Sequence, residues 1–305
     1  FNNQLTALDV SANTALTILT CNNNQLTSLD VSSNTALEEL SCSYNQITNI
    51  DVTNQNSLNH LFLHYNELSS VDVTNNTALI TLYTGGNDSV TSLDVSNNTA
   101  LQTLYAFQNS LTSLDLSNNL ELEYLWCQNN ELTSLDLSSN TALKRVFCSG
   151  NQLFYLNMKN GITDQLTNFG AAYNDLTCIE TLDPDYATAN WTSANGNIDD
   201  GVTFDVICGA EARTQWYVAT TGSDASGSGT LASPLANIQT AINATTDGDT
   251  VSVAAGTYVE NINFSGKNIA VIGADSSNTI IDGDSSGSVV VFNGGGGSTA
   301  VLKNF

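Results

Sequence analysis

The residues of this chain that could do chemistry recur in columns. Phe62, Tyr83, Tyr105, Trp126 and Phe147 follow one another at intervals of 21 or 22 residues, and Asp9, Asp30, Asp51, Asp72, Asp94, Asp115 and Asp136 keep the same interval. Equivalent side chains on neighbouring parallel strands lie about 4.8 Å apart, so the five rings would form a stripe of roughly 20 Å. An exposed apolar stripe of that size marks an interface, and aromatic anchors dominate interface energetics. His60, Tyr124 and Arg145 stand two residues before the ring column, and His64 and Phe107 two residues after it, widening the stripe. The rings could equally stabilise one face of a parallel sheet through cross-strand pairing, or cover a neighbouring module of the same chain. On a strand the two histidines would be about 13 Å apart, too far to share a metal ion. The Asp column offers oxygen ligands suited to Ca2+. Its plainer reading is a solvated acidic face, where adjacent carboxylates repel by about 1 kcal/mol and flanking Ser and Thr hydroxyls offset part of that.

The elements that position these columns follow from the period. Close copies of the stretch Leu111–Glu131 begin at Leu5, Leu26, Ile47, Leu68, Val90 and Leu132, with a looser one at Leu153. A fixed period near 21 residues is the signature of a solenoid, in which each unit buries its apolar face only against its neighbours. Numbered from the first apolar residue, positions 1, 4, 6, 12, 15 and 17 are apolar: Leu26, Leu29, Val31, Leu37, Leu40 and Cys42 in the second copy. Alternation at 4/6 and 15/17 predicts two short extended segments per repeat, with the Asp at position 5 and the ring at position 16 turned outward. Position 20 is Asn in every copy, from Asn24 to Asn174. An inward Asn at a turn can satisfy backbone groups that a solenoid cannot leave bare. Cys21, Cys42, Cys127 and Cys148 share position 17. Stacked strands hold their Cβ atoms farther apart than the roughly 3.5–4.5 Å a disulfide needs, so these are expected to be buried free thiols.

Thirty acidic residues oppose six basic ones, for a formal net charge of −24. Such a surface repels nucleic acid and anionic lipid, so neither is an expected partner. No run of 18 or more apolar residues is present, so no membrane-inserted helix is expected. The first residues match the end of a repeat and the last six form an apolar strand pattern. An ordered piece of a longer secreted polypeptide is therefore expected.

The pattern LTxLDVSxNTALxxLxCxxN resembles the leucine-rich repeats of bacterial surface proteins, particularly internalins that carry a cysteine ladder. That resemblance covers residues 1–180 and implies an extracellular or cell-surface location and adhesion to a host or matrix component. The non-repeating segment after Leu176 looks like the carboxy-terminal cap (about 176–210) that follows such repeats in Bacteroidota surface proteins. With it comes the expectation of a disulfide between the flanking Cys178 and Cys208, consistent with an oxidising compartment. Asp88-Ser89-Val90, beside the one-residue insertion at Gly85-Gly86, resembles a Bacteroidota O-glycosylation signal, with Ser89 as acceptor.

The first domain is accordingly expected to span 1–212 and the second 213–305, with a linker at 211–214. In the second, strands are expected at 216–220, 251–253, 258–262, 269–272, 279–281, 289–292 and 301–305. A helix is expected to start at Ser233-Pro234 and to bury Ile238, Ala241 and Ile242. The run YVATTGSD…GDTVSVAAGTYVENI resembles the amino-terminal part of N-terminally capped, pectin-lyase-like right-handed parallel β-helices, so the start of such a fold, incomplete within 213–305, is expected. Such folds host lyases, hydrolases and adhesins, so fold leaves function open. No catalytic set is visible: Lys267 and Lys303 are the basic residues of these coils, and Asp275, Asp282 and Asp284 sit in turn-rich stretches. The reading is a β-rich solenoid that binds a glycan or extracellular protein. The alternatives are a carbohydrate-active enzyme whose catalytic coils lie beyond residue 305, and a self-associating surface or filament component.

Overall fold

The computed structural model describes residues 3–209, 213–292 and 299–305. The chain divides into two compact units, residues 1–179 with 187–203, and residues 180–186 with 204–305. Of the expected linker, Glu211 and Ala212 lie outside the described residues.

The first unit is a β-solenoid built on strands β1 (Ile18–Thr20), β2 (Glu39–Ser41), β3 (His60–Phe62), β4 (Thr81–Tyr83), β5 (Thr103–Tyr105), β6 (Tyr124–Trp126), β7 (Ser134–Asp136), β8 (Arg145–Phe147), β9 (Tyr155–Met158) and β10 (Asn168–Gly170). Eight of these form one parallel sheet in the order β1-β2-β3-β4-β5-β6-β8-β10. Its register is in step with the repeat, so Phe62 pairs with Tyr83, Tyr83 with Tyr105, Tyr105 with Trp126 and Trp126 with Phe147. The apolar columns fill the interior: Leu26, Leu37, Leu40 and Cys42 are completely buried, as are their counterparts Leu58, Leu61, Leu63, Leu79 and Leu82.

Position 20 ties the coils together. Asn130 Nδ2 donates to the carbonyls of Ala106 and Cys127, one on the preceding coil and one on its own, while Oδ1 accepts the Leu111 amide. A second amide ladder at position 9 was not anticipated: Asn34, Gln55, Asn76, Asn98, Asn119 and Asn140 are all fully buried. Asn119 Nδ2 donates to the carbonyls of Val95 and Asn98 on the coil before it.

The 4/6 segment is extended but joins a ladder only late, in β7 and β9, which pair in parallel. In earlier repeats the Asp at position 5 accepts the amide two residues on, as Asp30 does from Ser32 and Asp72 from Thr74. These bonds close a local turn after the segment; Asp136 of β7 makes the same bond to Ser138 and still pairs, so the turn does not exclude a ladder.

The second unit adds β11 (Cys178–Thr181), α1 (Pro184–Asn190), β12 (Thr203–Asp205), β13 (Gln215–Val218), α2 (Ile238–Ala244), β14 (Thr250–Val253), β15 (Gly256–Val259), β16 (Ile262–Asn263), β17 (Ala270–Gly273), β18 (Thr279–Asp282), β19 (Val290–Val291) and β20 (Val301–Lys303), the first three lying at the division between units. Successive turns pair in parallel as β13-β14-β17-β20, β15-β18 and β16-β19. Trp216, Val218, Val251 and Val253 form a core with Ile238, Ala241 and Ile242 of α2. The helix does not begin at Ser233-Pro234. That stretch runs beside β13, where Leu235 donates to the Tyr217 carbonyl, and the helix starts four residues later with Asn237 as its cap residue. The first free helical amides, of Ile238 and Gln239, donate to the Glu260 carboxylate.

Cys21, Cys42, Cys127 and Cys148 are buried free thiols, and Cys178 and Cys208 are disulfide-bonded. Burial pushes the Cys21 thiol up to about 11 and the Cys148 thiol up to about 12. An aromatic disulfide reagent should therefore find almost no reactive thiol in the native protein and four in denaturant; ready labelling of the native chain would contradict the buried ladder. Asn130→Ala, which strips three buried hydrogen bonds, should cost on the order of 3 kcal/mol in urea unfolding.

Candidate functional site

Each strand of the large sheet places its middle residue inward and the residues at positions 14 and 16 outward. Leu61, Leu82, Leu104, Leu125 and Val146 are wholly buried, while Phe62, Tyr83, Tyr105, Trp126 and Phe147 are half-buried on the opposite side. The rings pack on one another along the solenoid. Tyr83 and Tyr105 stack with centroids 4.0 Å apart and planes 8° from parallel. Tyr105 and Trp126 are 4.1 Å apart, and Trp126 and Phe147 5.3 Å. Phe62 meets Tyr83 edge to face at 5.0 Å. Stacked pairs of this kind contribute about 0.5–1.5 kcal/mol beyond their buried area, so the ladder also steadies the sheet. Burial, with the neighbouring Tyr83 phenol, pushes the Tyr105 hydroxyl up to about 12.

The flanking residues extend this face on both sides. The His60 ring lies parallel to Phe62 at 6.4 Å, and Tyr124 stacks beside Trp126 at 6.2 Å. Lys144 bridges to Glu123 at 2.7 Å and sits 6.0 Å from the Tyr124 ring centre. Arg145 is exposed, with Nε 3.4 Å from the Thr167 hydroxyl. His64 is held differently from His60: its Nδ1 is 2.8 Å from the Ser43 hydroxyl, and Tyr44, Tyr65 and Tyr83 surround its ring. Among the described residues no cluster of His, Cys, Asp and Glu could hold a metal ion.

Two members of the cluster escaped sequence reasoning. Tyr44 and Tyr65 occupy position 19, the left-handed residue of every coil from Asn23 to Tyr173. Their φ values are 56° and 55°, a conformation a bulky residue rarely adopts. They are exposed and stack at 4.7 Å. The signal was partial: the same column holds Asn23, Gly86, Asn129 and Gly150, the residues a left-handed turn favours, but also Gln108 and Tyr173. Gly85 and Gly86 leave room for this lateral extension. A Cβ on Gly86 would fall 2.5 Å from the Tyr65 ring, and one on Gly85 would fall 2.7 Å from Phe107.

The Asp column has a local occupation. Asp51 accepts both the amide and the hydroxyl of Thr53, Asp94 does the same with Ser96, and these bonds hold both carboxyls below the usual range. Ser89 is exposed beside Asp88. In the second unit, Lys267 Nζ donates to the carbonyls of Ile242 and Asn243, the end of α2, at 2.8 Å each. Asp275 accepts from Ser277 and Asn278, and Asp282 from the Asp284 amide. The groups that could have served as base or acid pair are thus engaged in capping and turns.

Burial holds the His64 imidazole below its ordinary value, so it is neutral at neutral pH. An unfolded chain binds that proton more readily, so stability gained above about pH 6.5 should be lost as the pH falls towards the folded value. His64→Gln should flatten the change in melting temperature between pH 7 and pH 5; an unchanged slope would contradict the burial.

Comparison with known proteins places this geometry. The family of leucine-rich repeats in two copies matches residues 14–55. No characterised protein sequence gives a match. Among solved structures, the functional domain of InlJ from Listeria monocytogenes, which includes a cysteine ladder, is 24% identical, with a TM-score of 0.55 over 85% of this chain and 69% of that one. Internalin C2 from Listeria monocytogenes is 21% identical, with a TM-score of 0.50 over 64% of this chain and 83% of that one. The repeat unit is a β-solenoid similar in fold to the bacterial internalins, with a leucine-rich-repeat match over residues 14–55.

Proposed function

We propose that this protein is an extracellular or cell-surface recognition scaffold that adheres to a glycan or a protein through the aromatic face of its repeat sheet. The observation that carries the reading is a run of five outward, half-buried rings in strict register, widened by Tyr44, Tyr65, His64, Phe107 and Tyr124. The disulfide-bonded Cys178 and Cys208 support an oxidising compartment. Among the described residues no helix is long and apolar enough to cross a membrane.

The parallel coils of the second unit, with α2 over the first of them, support a further reading of this unit as the start of a pectin-lyase-like β-helix. Ser89 remains the proposed glycosylation site. In the adhesion reading this unit is a spacer or assembly module, since Lys267, Asp275 and Asp282 are occupied structurally.

Beads coated with the protein should adhere to mucin- or matrix-coated surfaces. Tyr83→Ala with Tyr105→Ala should abolish adhesion while lowering stability by only about 1–3 kcal/mol. Asp94→Asn on the acidic column should leave adhesion intact. Adhesion that survives the double tyrosine variant would refute the proposed face.

A further inference from the structure

The geometry points to Tyr83 and Tyr105 as a site of oxidative cross-linking, where a peroxide-driven one-electron oxidant joins the two phenol rings into a dityrosine that bridges β4 and β5. Their rings lie 4.0 Å apart and 8° from parallel, closer and better aligned than Tyr44 and Tyr65 at 4.7 Å and 27°. The two residues are partners in the register of paired strands. Equivalent residues on such strands are about 4.8 Å apart, so the new bond asks the rings to tilt and leaves the strands in place. Both rings are only half-buried, which leaves them within reach of a small oxidant. Trp126 lies 4.1 Å from Tyr105, and an indole radical formed there oxidises the neighbouring phenol. Phe62 and Phe147 end the row and carry no phenol, so the oxidisable rings of the row are the three between them. The thiol of Cys127, which would quench such radicals, is wholly buried.

The chemistry balances on the pair itself and one peroxide. Each phenol gives up one electron and its hydroxyl proton, and the unpaired spin spreads to the ring carbons beside the C–O bond. One such carbon from each ring forms the new C–C bond. The hydrogen that each carbon carried returns through solvent to a phenol oxygen, which restores both rings. A pair of hydrogen atoms has then left the tyrosines, and one hydrogen peroxide takes them up to become two waters. The stack favours this coupling because it holds the reacting rings in contact, the advantage that proximity gives any oriented pair. Coupling between chains is disfavoured, since a net charge of −24 keeps copies apart. The bridge closes the chain between β4 and β5 into a covalent loop, and such a loop stabilises a fold by restricting its unfolded state. It adds a tie on the outer side of coils that the buried amides already hold from inside, whatever the face binds.

Oxidation of the full chain, at dilute concentration, by hydrogen peroxide with a haem peroxidase tests this. The product should remain monomeric and show the blue fluorescence of dityrosine. Proteolysis and mass spectrometry should give a joined peptide holding Tyr83 and Tyr105, lighter by a pair of hydrogen atoms than its two halves. Tyr105→Phe, which keeps the ring and removes the phenol, should lose that peptide. Tyr44→Phe with Tyr65→Phe should retain it. In urea its yield should fall at least about tenfold, because the two phenols are then no longer held in contact. An oxidised product without the Tyr83–Tyr105 peptide would overturn the inference. So would dityrosine formed only between chains, or an equal yield from the folded and the unfolded protein.

Discussion

The structure of the repeat unit depends on one constraint: each coil must satisfy the backbone groups of its turns without a continuous sheet to do so. Short three-residue strands pair one side of each repeat, and the rest of the coil is mostly unpaired turn. Buried amide side chains meet that demand. At position 20 an Asn joins two carbonyls and an amide drawn from adjacent coils, and at position 9 a second amide does the same for two carbonyls of the coil before it. Leaving any of these backbone groups bare would cost about 1–3 kcal/mol apiece, several times over along the array. Leucine fills the interior, but asparagine sets the register.

Because register is fixed from inside, the outward side of the sheet adds only part of the stability and can carry the side chains an interaction needs. The ring column is one consequence. Tyr44 and Tyr65 are another, since a left-handed position that in other coils holds Asn, Gly, Gln108 or Tyr173 tolerates a bulky ring once the coil is locked by its neighbours. Gly85 and Gly86 supply the space into which Phe107 and Tyr65 lean. His64, neutral and bound to Ser43, sits where these rows meet.

Much of this was legible in the sequence, and the exceptions have physical causes. Identity of residues at fixed intervals exposed the coil, the buried leucines, the free thiols and the outward rings, because in a solenoid a column in sequence is a column in space. The extended segment around Asp30 was read with the correct facing, but an alternating pattern does not say which neighbouring segments pair, and here the late ones beginning with β7 and β9 do. The start of α2 was misread at Ser233-Pro234 because the true cap, Glu260, lies more than twenty residues away. Tyr44 and Tyr65 were passed over because an alternating pattern says nothing about a left-handed turn. In the second unit Lys267 stood out as a base and proved to serve the end of a short helix whose start is held by Glu260, a residue the sequence reading passed over.

The central claim is that the ring ladder meets solvent. Tryptophan quenching by acrylamide measures it directly, because Trp191 and Trp216 are buried and Trp126 is half-buried on the sheet face. The account predicts that quenching of the native protein arises from Trp126 and collapses to the level of an interior tryptophan in Trp126→Phe. Quenching that is unchanged by this substitution would contradict it.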